Sequence, residues 1–119
     1  MTTSEALTEA VGGASCCAPL ADAPLPQPDA EKLAATMKAL ADPARLRLLS
    51  IVAASDDQEA CVCDLIEPVG LSQPTVSHHL KVLTEAGFLS RTKRGTWAYY
   101  RLLPGALTNV ADLLTARRA

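Results

Sequence analysis

The chain is short of aromatic residues, of positive charge and of long apolar runs, and each shortage removes a class of protein. One Phe, one Trp and two Tyr in 119 residues give a single small domain few rings to build a core with, so a homodimer is expected. The formal net charge of −2 argues against a surface that is basic all round, as a nonspecific nucleic-acid coat would be. Residues 46–54 are the most apolar stretch, but Arg47 interrupts them and they are too short to span a bilayer. No N-terminal stretch joins a basic segment to an apolar one as a secretory signal does, so a cytoplasmic location and no membrane partner are expected. No glycine-rich phosphate loop and no nucleophile–base–orienter set is visible around Ser77, His78 or the carboxylates, so an enzyme is not expected.

What is present is concentrated in one region. Residues 71–101 hold Lys81, Arg91, Lys93, Arg94 and Arg101 against Glu85 alone, a local charge of +4 that leaves −6 for the remainder. The basic footprint is local, as in a protein that meets a polyanion with one face. Within it, Ser72 can cap a helix whose first turn accommodates Pro74. Val76, Leu80 and Leu83 then recur at i, i+4 and i+7 as one apolar stripe. Gln73, Thr75, Ser77, His78 and Lys81 lie on other faces. These are short hydrogen-bonding types and a cation, suited to base edges and phosphates of double-stranded DNA.

Glu85-Ala86-Gly87 gives that helix a glycine stop. Residues 88–102 read as a β-hairpin with Lys93-Arg94-Gly95 at its tip and Trp97, Tyr99 and Tyr100 in its second strand. A helix-turn-helix followed by a basic hairpin is a winged helix, with the recognition helix in the major groove and the wing, through Lys93 and Arg94, on the backbone or minor groove. The expected fold is therefore mostly α with a small β-hairpin, a winged helix-turn-helix.

Residues 1–30 carry four prolines and no sustained period, which reads as a mobile tail; residues 31–119 form the DNA-binding and dimerisation domain. Helices are expected over 30–40, 44–54 with Pro43 at the start, 62–69 and 71–83. A last helix opens at Pro104 with Leu107, Val110, Leu113 and Leu114 on one side. The core is expected around Leu46, Leu49, Leu65, Leu80 and Leu83, and the first and last helices are left as the dimer face.

The four cysteines form two pairs, Cys16-Cys17 in the tail and Cys61-Val62-Cys63 at the head of the third helix. In a reducing compartment they are ligands or reactive thiols rather than disulfide staples. Residues i and i+2 on a helix point roughly 200° apart, so Cys61 and Cys63 can face one ion only where the backbone is extended or frayed. Neither pair completes a site alone, whereas joining them gives three or four thiolates, which select soft ions. The proline-rich linker, at roughly 3.1 Å per residue, is long enough to bring the tail to either subunit. His78 and His79 diverge by roughly 100° on a helix and lie on the DNA face, which argues against ligation.

Residues 39–49 (ALADPARLRLL), Cys61-Val62-Cys63-Asp64-Leu65 and the Ser-Gln-Pro-Thr-Val-Ser-His-His-Leu core of 71–83 resemble the ArsR/SmtB family of winged-helix repressors, in the family's order and over residues 31–115. The resemblance implies a homodimer that binds operator DNA without inducer and leaves it when a toxic metal or metalloid binds. Two departures stand out. Ile66 occupies the place where arsenic sensors often carry a third cysteine, which makes the tail pair the substitute. The last helix offers Asp112 and no histidine, which disfavours the family's zinc and cobalt site. The expected inducer is As(III) or Sb(III), held by Cys16, Cys17 and one or both of Cys61 and Cys63. The alternatives are Cd(II) or Pb(II) on all four sulfurs, and a thiol redox switch without metal.

Overall fold

The computed structural model describes residues 19–115. They divide into two compact units, one of residues 38–103 and one that combines 19–37 with 104–115. Helix α1 (Gln27–Leu40) runs through the boundary. It starts three residues before the expected position, because Pro28 is tolerated in a first turn whose N–H groups need no intrahelical partner.

In the unit of residues 38–103, α2 (Pro43–Ala54) begins at an extended Asp42 (φ −153°, ψ 128°) whose carboxylate accepts the N–H of Arg45 at 3.1 Å. Pro43 follows in the first turn. A tight turn over Asp56–Gln58 then places two non-glycine residues, Asp57 (φ 58°) and Gln58 (φ 54°), in the left-handed region, where Asn and Asp are several-fold enriched and most side chains are disfavoured.

The expected continuous helix over 62–69 is broken into a 3-10 turn (Val62–Asp64) and the single turn α3 (Ile66–Val69), and a short strand, β1 (Glu59–Cys61), precedes them. Gly70 (φ 71°) ends α3 and donates to the carbonyls of Ile66 and Glu67. Pairing of β1 with a strand at long range holds Cys61 extended immediately before this segment, and Cys61 and Val62 are buried (3% and 4% exposed).

Helix α4 (Gln73–Glu85) starts at Ser72, whose hydroxyl accepts the N–H of Thr75, and buries Val76, Leu80 and Leu83 completely. It closes with Gly87 at φ 93° and the N–H of Phe88 on the carbonyl of Leu83, the glycine-dependent helix stop. The hairpin is present as β2 (Leu89–Arg94) and β3 (Trp97–Leu102), and Gly95 (φ 64°) supplies the turn. It belongs to a three-stranded antiparallel sheet of order β1-β3-β2, in which Cys61 lies opposite Tyr99 and Glu59 opposite Arg101.

The core of this unit is built from Leu48, Val52, Leu65, Val76, Leu80, Leu83, Phe88 and Leu89. Leu46 does not belong to it, contrary to expectation. At 50% exposure it sits roughly 115° around α2 from the middle of the arc that buries Leu48, Leu49 and Val52.

In the other unit, α5 (Ala106–Leu114) buries Ala106, Val110 and Leu113, and Leu33 packs with Leu113 and Leu25. The N–H of Leu20 donates to the carbonyl of Leu113 at 2.8 Å. The expected single stripe on this helix is two: Leu107 and Leu114 form a second, exposed row (40% and 47%), and Met37 of α1 (37%) and Leu20 (45%) are also large apolar side chains left in water.

Candidate nucleic-acid interface and thiol site

Gln73, Ser77 and Lys81 recur every four residues, so α4 turns them to one side while Val76, Leu80 and Leu83 hold the helix on the core. That side faces the sheet across a cleft of about 520 Å³. Arg91 and Lys93 line its opposite wall from β2, Trp97 stands at the wing, and Val62 and Tyr100 are among the lining residues. Three cations against Glu85 alone make the cleft positive. Arg91 was not singled out by sequence. Its signal was strand alternation, since Arg91 and Lys93 pair with Tyr100 and Ala98 and share their face.

Thr75 and His78 are exposed on α4. Thr75 is engaged by the cap, its hydroxyl accepting from Ser72 Oγ at 3.0 Å. The His78 ring is tilted against that of His79 with centroids 6.0 Å apart. His79 is part of the scaffold: its Nδ1 accepts from Arg45 Nε at 3.2 Å, while Arg45 Nη1 reaches the carbonyls of Lys38 and Ala39 at 3.3 Å. The same arginine's N–H, bonded to Asp42, is the chief reason that carboxyl lies below its usual range.

Arg94 does not share the surroundings of Lys93. It turns to the other face of the sheet, where Nη2 meets Glu59 Oε2 at 2.7 Å and the guanidinium carbon lies 4.4 Å from the centre of the Tyr99 ring. Arg101 approaches the second oxygen of Glu59 at 3.6 Å. Glu59 carried no sequence signal, because its role exists only once β1 has paired.

Cys61 and Cys63 converge, their sulfurs joined and their Cα atoms 5.1 Å apart. The backbone condition for this is met: Cys61 is extended (φ −78°, ψ 143°) and the chain then tightens into the 3-10 turn. The N–H of Cys63 donates to Cys61 Sγ at 3.2 Å, which fixes that sulfur on the Cys63 side. Cys61 is buried and Cys63 exposed, so the pair opens to the surface through Cys63. Cys16 and Cys17 lie outside the described residues, and among the described residues no group of three His, Cys, Asp or Glu side chains is placed to hold a metal. No helix among them is long and apolar enough to cross a membrane.

Comparison with known proteins agrees with this geometry. The arsenic resistance transcriptional regulator ArsR1 of Pseudomonas putida is 46% identical over 67 residues, which cover 56% of this chain and about half, 51%, of that protein. The crystal structure of the AntR antimony-specific transcriptional repressor superimposes with a TM-score of 0.63 at 31% identity, covering 77% of this chain and 83% of that one. A homodimeric winged helix-turn-helix DNA-binding domain from Mycobacterium bovis, a possible ArsR-family regulator, matches with a TM-score of 0.58 at 30% identity, covering 76% and 82%. Residues 42–91 match the bacterial regulatory proteins of the arsR family, and the chain belongs to that family of DNA-binding transcriptional repressors with a winged helix-turn-helix fold.

Proposed function

We propose that the protein is a cytoplasmic, homodimeric repressor that holds operator DNA in the absence of inducer and releases it when As(III) or Sb(III) binds cysteine thiolates. The observation that carries the proposal is the placement of Cys61 and Cys63. Their sulfurs meet at the end of β1, and Val62 between them lines the cleft that separates α4 from the wing. In DNA binding, Gln73, Thr75, Ser77 and His78 face base edges. Lys81, Arg91 and Lys93 neutralise the sugar–phosphate strand that runs between α4 and the wing.

Once reduced, Cys61 and Cys63 supply two thiolates, one short of the pyramid of three that trivalent arsenic takes, and the described residues supply no third. Cys16 and Cys17 are the remaining cysteines of the chain, and this tail pair completes the set. Cadmium or lead on all four sulfurs is the alternative occupant. Titration of the reduced protein with arsenite, followed by thiolate charge-transfer absorbance and by anisotropy of labelled operator, tests the reading. Arsenite is expected to produce both the absorbance and DNA release, and operator that stays bound at saturating arsenite and antimonite overturns it.

A second reading is favoured by the joined sulfurs themselves. In a thiol switch, Cys61 and Cys63 each lose a proton and together give two electrons to an oxidant such as a peroxide, forming one S–S bond. Release of operator by peroxide alone, with no response to arsenite, would establish it in place of the first.

A further inference from the structure

We propose that Glu59 is a positioning residue that ties the wing to the cysteine-bearing strand and transmits inducer occupancy to the DNA-facing cleft. The proposal rests on the thiolate-inducer reading above and names the connection that reading lacks.

Glu59 and Arg94 belong to the two outer strands of the sheet, with β3 between them, so their 2.7 Å ion pair spans the full width, roughly 10 Å for two strand spacings. The arginine crosses β3 over the ring of Tyr99. Tyr99 in turn lies directly opposite Cys61. Glu59 and Cys61, two residues apart on a strand, share one face of the pleat. Carboxylate, guanidinium and phenol ring thus form one connected set, and the backbone pairing of Tyr99 with Cys61 joins it to the cysteine-bearing strand.

Arg94 is the last residue of β2 and stands one position from Lys93, which lines the cleft. A ligand that draws Cys61 and Cys63 towards a third donor turns the end of β1, and with it the carboxylate that holds Arg94. Val62 is displaced in the same movement, and it lines the cleft.

The pair is poorly suited to a role in stability. The side chain of Arg94 is 49% exposed and that of Glu59 15%, and half-exposed ion pairs contribute little to folding. What the pair controls is where the wing sits relative to β1, and a tie of this kind is read as coupling between two ligands rather than as a change in Tm.

The test measures operator affinity by anisotropy, with and without saturating arsenite, for reduced wild type, Glu59→Gln, Arg94→Gln and the double variant. Arsenite binding to each free protein is followed separately by thiolate absorbance. Both single variants are expected to fold and to bind arsenite within about twofold of wild type. The ratio of operator affinities without and with arsenite is expected to fall about tenfold, within the usual span of coupling energies, and the double variant is expected to fall no further than either single one. Single variants that keep the wild-type ratio overturn the tie, even if their affinity for operator is lower, because a structural role alone would produce that. If wild type binds arsenite and keeps its operator, both this inference and the inducer reading fall, whereas a wild-type response with unchanged variant ratios removes the tie alone.

Discussion

Lys93 and Arg94 are neighbours in the chain and are held by different groups. Lys93 lines the cleft beside Arg91 and Lys81, while Arg94 is committed to Glu59 and Tyr99. Lys93→Ala and Arg91→Ala are therefore expected to weaken binding to all DNA sequences alike and to reduce the salt slope by about one unit for each phosphate no longer neutralised. Arg94→Gln is expected to leave the slope nearly unchanged. The check is operator affinity measured across a salt series, and an Arg94 variant with the slope change of Lys93→Ala would contradict the division. Gln73→Ala or Ser77→Ala is expected to cost about 1–3 kcal/mol of specific binding while nonspecific binding stays level.

Asp42 makes a prediction in pH at the same scale. Its carboxyl lies below the usual value, first because it accepts the N–H of Arg45 and further through the nearby charge of Arg45, with burial opposing. A folded-state value below the unfolded one contributes stability that is fully present above the unfolded pKa of about 4. That stability is lost as pH falls through the folded value. The Tm difference between wild type and Asp42→Asn is expected to be constant near neutrality and to shrink below about pH 4.

At the scale of elements, the helices with strong local signals were legible in sequence and the short strand was not. Ser72 and Pro74 define the start of α4, Gly87 its end, and Val76, Leu80 and Leu83 its buried stripe, all within one segment. Ser72→Ala is accordingly expected to cost about 1 kcal/mol of stability by denaturant unfolding, and Leu80→Ala about 2–5 kcal/mol. β1 has three residues, too few to show alternation, and exists because Arg101, Tyr100 and Tyr99 offer it a partner some forty positions away. The site inherited that blindness. The cysteine pair could be read from spacing as needing an extended backbone, and Arg91 from its alternation with Lys93, but Glu59 and the Arg45–His79 bond appear only after the sheet and the helix pair have formed.

At the scale of the whole molecule, Leu107 and Leu114 of α5 and Met37 of α1 are large apolar side chains left in water. In the proposed homodimer the Leu107–Leu114 row is the surface that a second copy would cover. Sedimentation at micromolar concentration is expected to show a dimer without DNA, and Leu107→Glu with Leu114→Glu is expected to shift it towards monomer and to weaken operator binding together with assembly. Removal of residues 1–18, which takes away Cys16 and Cys17, is expected to leave operator binding intact and to abolish release by arsenite. Cys63→Ser is expected to behave like Cys61→Ser, since the two sulfurs meet rather than point apart.

The central claim is that the Cys61–Cys63 end of β1 senses a thiol-binding inducer for the cleft between α4 and the wing. Operator anisotropy with reduced wild type and Cys61→Ser, titrated with arsenite, tests it most directly. The account predicts that both proteins bind operator with similar affinity, that arsenite releases wild type, and that the variant remains bound at the same concentration. Release of the variant at the wild-type arsenite concentration would contradict it.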